Sequence, residues 1–493
     1  MQNLDGDPET SMHEMLDPKD WEAFRRLAHC ALDDAIDYIR DVRSRPVWLP
    51  VPDAVKQRLQ EPLPSQGQGI EKTYQDFLHL VLPYATGNIH PRFWGWVHGT
   101  GLATGLISEL MTAAMNSNCG GRDHGAVYVE RRVIDWFRQI MGYPENAGGL
   151  LVSGTSMGNV IGLAVARNAH IGSGARAQGV AGFPKKLITY ASSEAHSSVA
   201  KSLELLGLGN SSLRKIPVTA KFSMEIDVLR EAIKEDRRAG LQPFCVVGCA
   251  GTVNTGGMDD LEALSEICRA DGLWFHVDGA FGAMCCLSDK LKPLVRGIEK
   301  SDSLAFDFHK WMYVQYDAGC VLVRDSNLQK QAFATRPEYL QHADRGLAGG
   351  GEWFTDLGPE LSRSFRALKI WFGLKEHGTR RFAEAIEANC EQAKYLAASI
   401  RRNRDLELMV EPTLNIVCFR FRPKGLDEAE VDKLNRYIVS ELQERGIAAP
   451  STTGIYGKLA IRVAITNHRS RREDFELLLS SVEKIGAERQ RLE

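Results

Sequence analysis

SLAFDFHKWM, residues 303–312, runs from uncharged, mostly apolar positions straight into an aspartate, a histidine and a lysine. A short apolar run of this kind reads as a buried strand, which sets Asp307, His309 and Lys310 at or just past its carboxyl end. Lysine is almost never buried without a partner, so its position here demands a chemical reason. Similar runs lie on both sides: GLLVSG (149–154), KLITYAS (186–192), FCVVGCAGT (244–252), LWFHVDGA (273–280) and AGCVLVR (318–324). Helical patterns separate most of them, among them VYVERRVIDWFRQIMG (127–142), MGNVIGLAVARNAHIG (157–172) and LEALSEICRADG (261–272). Strands alternating with helices predict right-handed crossovers and a mostly parallel, buried sheet, with ligands at the carboxyl ends of its strands.

The unusual polar residues fall at those ends. Thr155 and Ser156 follow the first run, His196 follows the second, Thr252 the third and Asp278 the fourth. Taken singly, each has a plainer reading: a hydroxyl can cap a helix, and a strand-end aspartate is often a surface carboxylate. Taken together they form a constellation. A lysine amine held out of bulk water can act as a Schiff-base nucleophile. A carboxylate ending an apolar strand needs a cationic partner, since an unpaired buried charge is costly, and a protonated pyridine nitrogen is such a partner. The turn GGLLVSGTSMGN (148–159) presents backbone N–H groups and two hydroxyls at a helix start, a cradle for phosphate. His196 is placed to stack on a flat ring. Pyridoxal 5′-phosphate has the phosphate, ring, pyridine nitrogen and aldehyde that these residues would meet.

Outside this region, residues 17–41 carry an amphipathic helical stripe that ends at the three prolines of RPVWLPVP. Three regions are expected: an N-terminal helical segment over 1–95 with too thin a core to stand alone, a large α/β domain over 96–378, and a small C-terminal α+β domain over 379–493. The 60 basic and 63 acidic residues give a net charge of −3, which offers no electrostatic case for nucleic acid or a membrane surface. No window approaches a transmembrane span, and the acidic, polar start MQNLDGDPETSMHEMLDP lacks the basic and apolar regions of a signal peptide. Ten scattered cysteines without a CxxC pair fit a reducing cytoplasm, and no metal site is read.

SGTSMGN, SSEAHSS (192–198), HVDGAFGA (276–283) and DFHKWM stand in the order and spacing of the group II pyridoxal-phosphate decarboxylases, the family of aromatic-L-amino-acid, histidine and glutamate decarboxylases. The resemblance runs from about residue 20 to the C-terminus. It implies the fold-type-I transferase architecture, a homodimer with active sites at the subunit interface, and a small amino-acid substrate. It also implies roles. Lys310 would carry the cofactor, Asp278 would pair with the pyridine nitrogen, and His196 and Ala280 would lie on opposite ring faces. Thr155, Ser156, Thr252, Asp307 and His309 would surround the phosphate or the lysine. Arg462, in AIRVAITN, matches an arginine near the substrate carboxylate.

Two departures bear on the reaction. Phe308 stands where the family has proline or alanine. The loop HADRGLAGGGEWFTDLG (342–358) lacks the tyrosine that protonates the substrate carbanion, and that position falls near Phe354. The four motifs imply decarboxylation to an amine, and the tyrosine-free loop raises oxidative conversion to an aldehyde, ammonia and peroxide as the alternative, as in the plant aromatic acetaldehyde synthases. A catalytically silent cofactor-binding protein is a third reading. For the substrate, NIHPRFWGWVHG (88–99) matches the family's pocket segment through His90, Phe93 and Trp94. Its HPRF resembles the glutamate branch, Asn88 replaces a tryptophan of the aromatic branch, and Trp94 and Trp96 suit an aromatic side chain.

Overall fold

A computed structural model describes residues 16–172, 174–335 and 343–491. The acidic N-terminal stretch up to residue 15 and His342 of the glycine-rich loop lie outside the described residues.

Seven strands form the large sheet: β1 (Gly148–Val152), β2 (Leu187–Ser192), β3 (Leu213–Ile216), β4 (Gln242–Cys249), β5 (Trp274–Asp278), β6 (Ser303–Asp307) and β7 (Gly319–Val323). Their spatial order is β1-β7-β6-β5-β4-β2-β3. β7 pairs antiparallel with β1 and β6, and the remaining pairs are parallel. Every residue of β1, β2, β6 and β7 is buried, which is why these strands read as continuous apolar runs instead of alternating ones. Helix Thr155–Ile171 crosses one face. It packs so closely that a Cβ at Gly162 would stand 2.7 Å from the His276 ring.

A second, antiparallel sheet has the order β10-β11-β9-β8, built from β8 (Leu406–Val410), β9 (Ile416–Phe421), β10 (Ser451–Ile455) and β11 (Lys458–Ala464). Helices Glu428–Glu444 and Arg472–Gln490 belong to the same unit, the first opened by a capping box between Asp427 and Glu430. Helix Ala367–Arg402 joins the two sheets and breaks at Gly378, whose φ of 66° only glycine adopts readily. The N-terminal helix Trp21–Arg40 is capped by Asp20 and buries none of its residues.

Three strands escape the sequence reading: β3, β8 and β10. All three are sheet edges. Their burial is partial, so they lack the apolar run that marks a central strand.

Candidate active site

The carboxyl ends of β1, β4, β5 and β6 open on one cavity of about 510 Å³. Thr155, Ser156, His196, Thr252, Asp278, Ala280, Asp307, His309 and Lys310 all line it. The sheet explains the convergence. Asp278 pairs in register with Ala305, two residues before Asp307 on the adjacent strand. Gly319 sits between Val152 and Asp307 in the ladder, and a Cβ there would lie 2.8 Å from the Asp307 carboxylate.

Asp307 organises the lysine end. Its Oδ2 lies 2.8 Å from Lys310 Nζ and 3.6 Å from His309 Nε2, while its Oδ1 accepts the Thr155 N–H at 2.6 Å. Burial raises the Asp307 carboxyl, but Lys310 and His309 outweigh it and hold the group below its ordinary range. His309 Nδ1 accepts the Ala318 N–H at 3.1 Å. Burial lowers its imidazole, partly offset by Asp307, so the ring is neutral near pH 7 and carries its proton on Nε2, facing Asp307. His98 and His196 also line the cavity and are likewise lowered, chiefly by burial.

Across the cavity, Asp278 accepts Asn159 Nδ2 at 2.9 Å and the Ala280 N–H at 3.2 Å. Thr252 braces its turn by accepting the Gly257 N–H at 2.9 Å. At the start of helix Thr155–Ile171, Thr155 Oγ1 is buried and has no hydrogen-bond partner in the protein. An orphaned hydroxyl beside a helix N-terminus fits a phosphate group, and Asp278 and Lys310 line the same cavity, as a ring nitrogen and an aldehyde of one cofactor would require.

Other predicted positions lie elsewhere in the single chain. Trp94 is fully buried and stacks on Phe475 at 5.1 Å in the core of the C-terminal unit. Phe93 is buried beside Ala449, and buried His90 accepts the Arg92 N–H at 3.1 Å. Phe354 is buried under the Arg363 guanidinium, 4.9 Å from its ring centre. Arg462 lies behind the cavity wall, where its guanidinium donates to the carbonyls of Trp96, Val253 and Asn254.

The cavity also contains His98, Glu194 and Tyr316, which the sequence reading left unassigned, and at its rim Trp96, which that reading matched to an aromatic side chain. Tyr316 packs against His309 with ring centres 4.4 Å apart. It lies on an irregular stretch, with no periodicity to aim it. Asn159, by contrast, was detectable: it stands one helical turn after Thr155, on the same face.

A lysine-bearing cavity at the strand ends of such a sheet is the apparatus of an enzyme that holds an aldehyde cofactor. Residues 52–422 match the pyridoxal-dependent decarboxylase conserved domain, and the chain belongs to that family. Its cofactor is pyridoxal 5′-phosphate, and it is an amino-acid decarboxylase. The chain is 32% identical to an aromatic-L-amino-acid decarboxylase of Bacillus atrophaeus, over 95% of this chain and 96% of the relative. It is 28% identical to a phenylacetaldehyde synthase of Petunia hybrida, over 92% and 91%. Among solved structures, Oryza sativa TDC with PLP and tryptamine superimposes with a TM-score of 0.88 at 26% identity, over 96% and 99%.

Proposed function

We propose that this protein decarboxylates an aromatic L-amino acid to its amine and carbon dioxide, at a site completed by a second copy of the chain. The observation that carries the substrate class is the set of flat rings at the cavity. Trp96 stacks on His98 at 5.5 Å, and Tyr316 lies against both His98 and His309. The Bacillus relative supports the same reading.

In this reading Lys310 holds the cofactor aldehyde, Asp278 faces the ring nitrogen, and Thr155 and Ser156 hold the phosphate. When bound, the cofactor supplies an electron sink for the pair left behind by the departing carboxylate. The protein's residues do the rest. Asp307 keeps Lys310 at hand through their 2.8 Å ion pair. Neutral His98, His196 and His309 line the cavity without repelling the lysine cation. Tyr316 provides a phenol, pushed up to about 12 chiefly by burial, that stays protonated at neutral pH. The missing loop tyrosine therefore does not leave the cavity without a proton donor.

A second reading rests on Phe354, which has no proton to give, and on the Petunia relative. In it, the amino acid, one O2 and one water yield an aldehyde, CO2, ammonia and H2O2. A panel of amino acids, assayed together for CO2, amine, aldehyde and peroxide, separates the two. Amine equal to CO2 without peroxide is expected for aromatic substrates. One aldehyde and one peroxide per CO2 would replace the first reading with the second, and CO2 from glutamate alone would overturn the aromatic assignment.

Two exposed apolar faces support the second copy. Trp21, Phe24 and Ile36 project from the N-terminal helix, and Ile107, Leu110, Met111 and Met115 from helix Thr104–Met115. Faces of this kind mark interaction surfaces. A monomeric mass in solution would exclude the dimer. Ten unbridged cysteines support a reducing, cytoplasmic setting.

A further inference from the structure

We infer that Asn159 is a positioning residue that serves both cofactor-facing groups at once: its amide aims and stabilises the Asp278 carboxylate, and through Ser198 it fixes which nitrogen of His196 carries the proton. The inference deepens the proposed function and rests on its placement of Asp278 against the ring nitrogen.

The direction of each hydrogen bond follows from the two ends of a buried chain. At one end Trp274 Nε1–H, which can only donate, lies 2.8 Å from Ser303 Oγ. At the other, the Asp278 carboxylate accepts from Asn159 and from the Ala280 N–H. Between them, Ser303 Oγ lies 2.7 Å from His276 Nδ1, and His276 Nε2 lies 2.9 Å from Asn159 Oδ1. Asp278 requires an N–H from Asn159, so the amide oxygen faces His276. His276 must then donate from Nε2, which leaves Nδ1 to accept the Ser303 hydroxyl. No other orientation satisfies every member. Burial pushes the His276 imidazole down to about 3, so it is the neutral, one-donor ring that the chain needs.

The second Asn159 N–H points to Ser198 Oγ at 3.0 Å. Ser198 therefore accepts from Asn159 and directs its own proton to His196 Nδ1, 2.8 Å away. The Ser198 N–H also points to that nitrogen, at 3.2 Å. Nδ1 is thus occupied as an acceptor, and neutral His196 carries its proton on Nε2. Asn159, His276 and Ser303 are wholly buried and Ser198 nearly so. With so little water to substitute for a lost partner, each bond counts for more than at a surface.

The test uses the full-length holoenzyme and four variants: Asn159→Leu, His276→Phe, Ser198→Ala and Asp278→Ala. Asn159→Leu is expected to weaken pyridoxal phosphate binding about 10- to 100-fold, the loss of one hydrogen bond to a charged group, and to shift the pH titration of the bound cofactor's absorption. His276→Phe should shift the same titration in the same direction by less. It also keeps the test open if Asn159→Leu does not fold. Ser198→Ala should leave cofactor affinity within about twofold and move the pH profile of kcat, with Ser198→Thr restoring it, as expected of an effect confined to His196. In an Asp278→Ala background, Asn159→Leu should have no further effect on affinity. If Asp278→Ala weakens binding while Asn159→Leu and His276→Phe leave affinity and titration unchanged, the relay is wrong and the Asp278 placement survives. If Asp278→Ala itself changes neither, the placement fails.

Discussion

The carboxyl edge of the large sheet and the segment 88–98 both looked, in the sequence, like lists of functional side chains, and they behave differently. At the sheet edge all nine predicted cofactor residues reach one cavity. In the segment, neighbouring aromatics part company: Trp94 is wholly buried in the C-terminal core, while Trp96 is 57% exposed at the cavity mouth with a φ of 52°. The difference lies in the backbone. A parallel sheet sends every strand end the same way, so residue type and position suffice to place the side chain. An irregular segment has no period, and the direction of each side chain depends on partners hundreds of residues away, such as Phe475.

The largest effect that sharpens this contrast comes from the edge. Lys310→Ala should abolish the visible absorption of the lysine-bound cofactor and lower kcat/KM by at least about 10³-fold, the scale at which removing a covalent nucleophile acts. Retention of the absorption would mean that another amine holds the cofactor. The protein should remain folded, because Asp307 keeps the Thr155 N–H at 2.6 Å.

The two tryptophans carry the next prediction. Trp94→Ala removes a side chain packed on Phe475 whose Nε1–H reaches Ser470 Oγ at 3.2 Å. It should cost about 3–5 kcal/mol of stability, the range for emptying a large core site. Trp96→Ala should leave stability within about 0.5 kcal/mol, as surface changes do, and raise KM for aromatic amino acids more than for aliphatic ones. Urea unfolding and paired kinetics check both. The reverse pattern, an unstable Trp96 variant and a stable Trp94 one, would break the comparison.

The central strands and the gathering of Thr155, Ser156, Asp278 and Lys310 at one cavity were legible because apolar runs and strand-end polar residues are local signals. The edge strands β3, β8 and β10 were not, because half-solvated strands lack such runs. Arg462 was singled out only through the family resemblance, and its hydrogen bonds to the Trp96, Val253 and Asn254 carbonyls depend on loops that only the fold brings together. Tyr316 left no trace at all, since a tyrosine six residues past the lysine on irregular backbone is aimed by packing on His98 and His309. Asn159 stood inside a motif and was overlooked because its meaning lies in a chain of partners, His276 and Ser303 among them.

The smallest expected effect concerns pH, and it separates the two regions by cofactor loading. His90, in the irregular segment, is lowered to about 4 chiefly by burial, and His276 and His468 to about 3. Each binds its proton more readily in the unfolded chain, so unfolding takes up protons below the ordinary histidine value of 6.5, and stability falls as pH drops toward about 4. Asp259, raised to about 6 by burial, acts oppositely between 3.8 and 6, because there the folded carboxyl holds the proton. Buried Glu130 and Asp302, also raised by burial, act in the same sense as Asp259, and the lowered histidines outnumber these three carboxyls. Lowered His196 and His309 at the sheet edge add to the loss in the cofactor-free protein, and bound cofactor changes their surroundings while leaving those of His90 and His468 alone. Unfolding midpoints should therefore decline by a few degrees from pH 7 to 5 in both forms, less steeply in the holoenzyme. Calorimetry of the two forms across that range checks it, and identical slopes would mean that the cavity histidines contribute nothing to acid sensitivity.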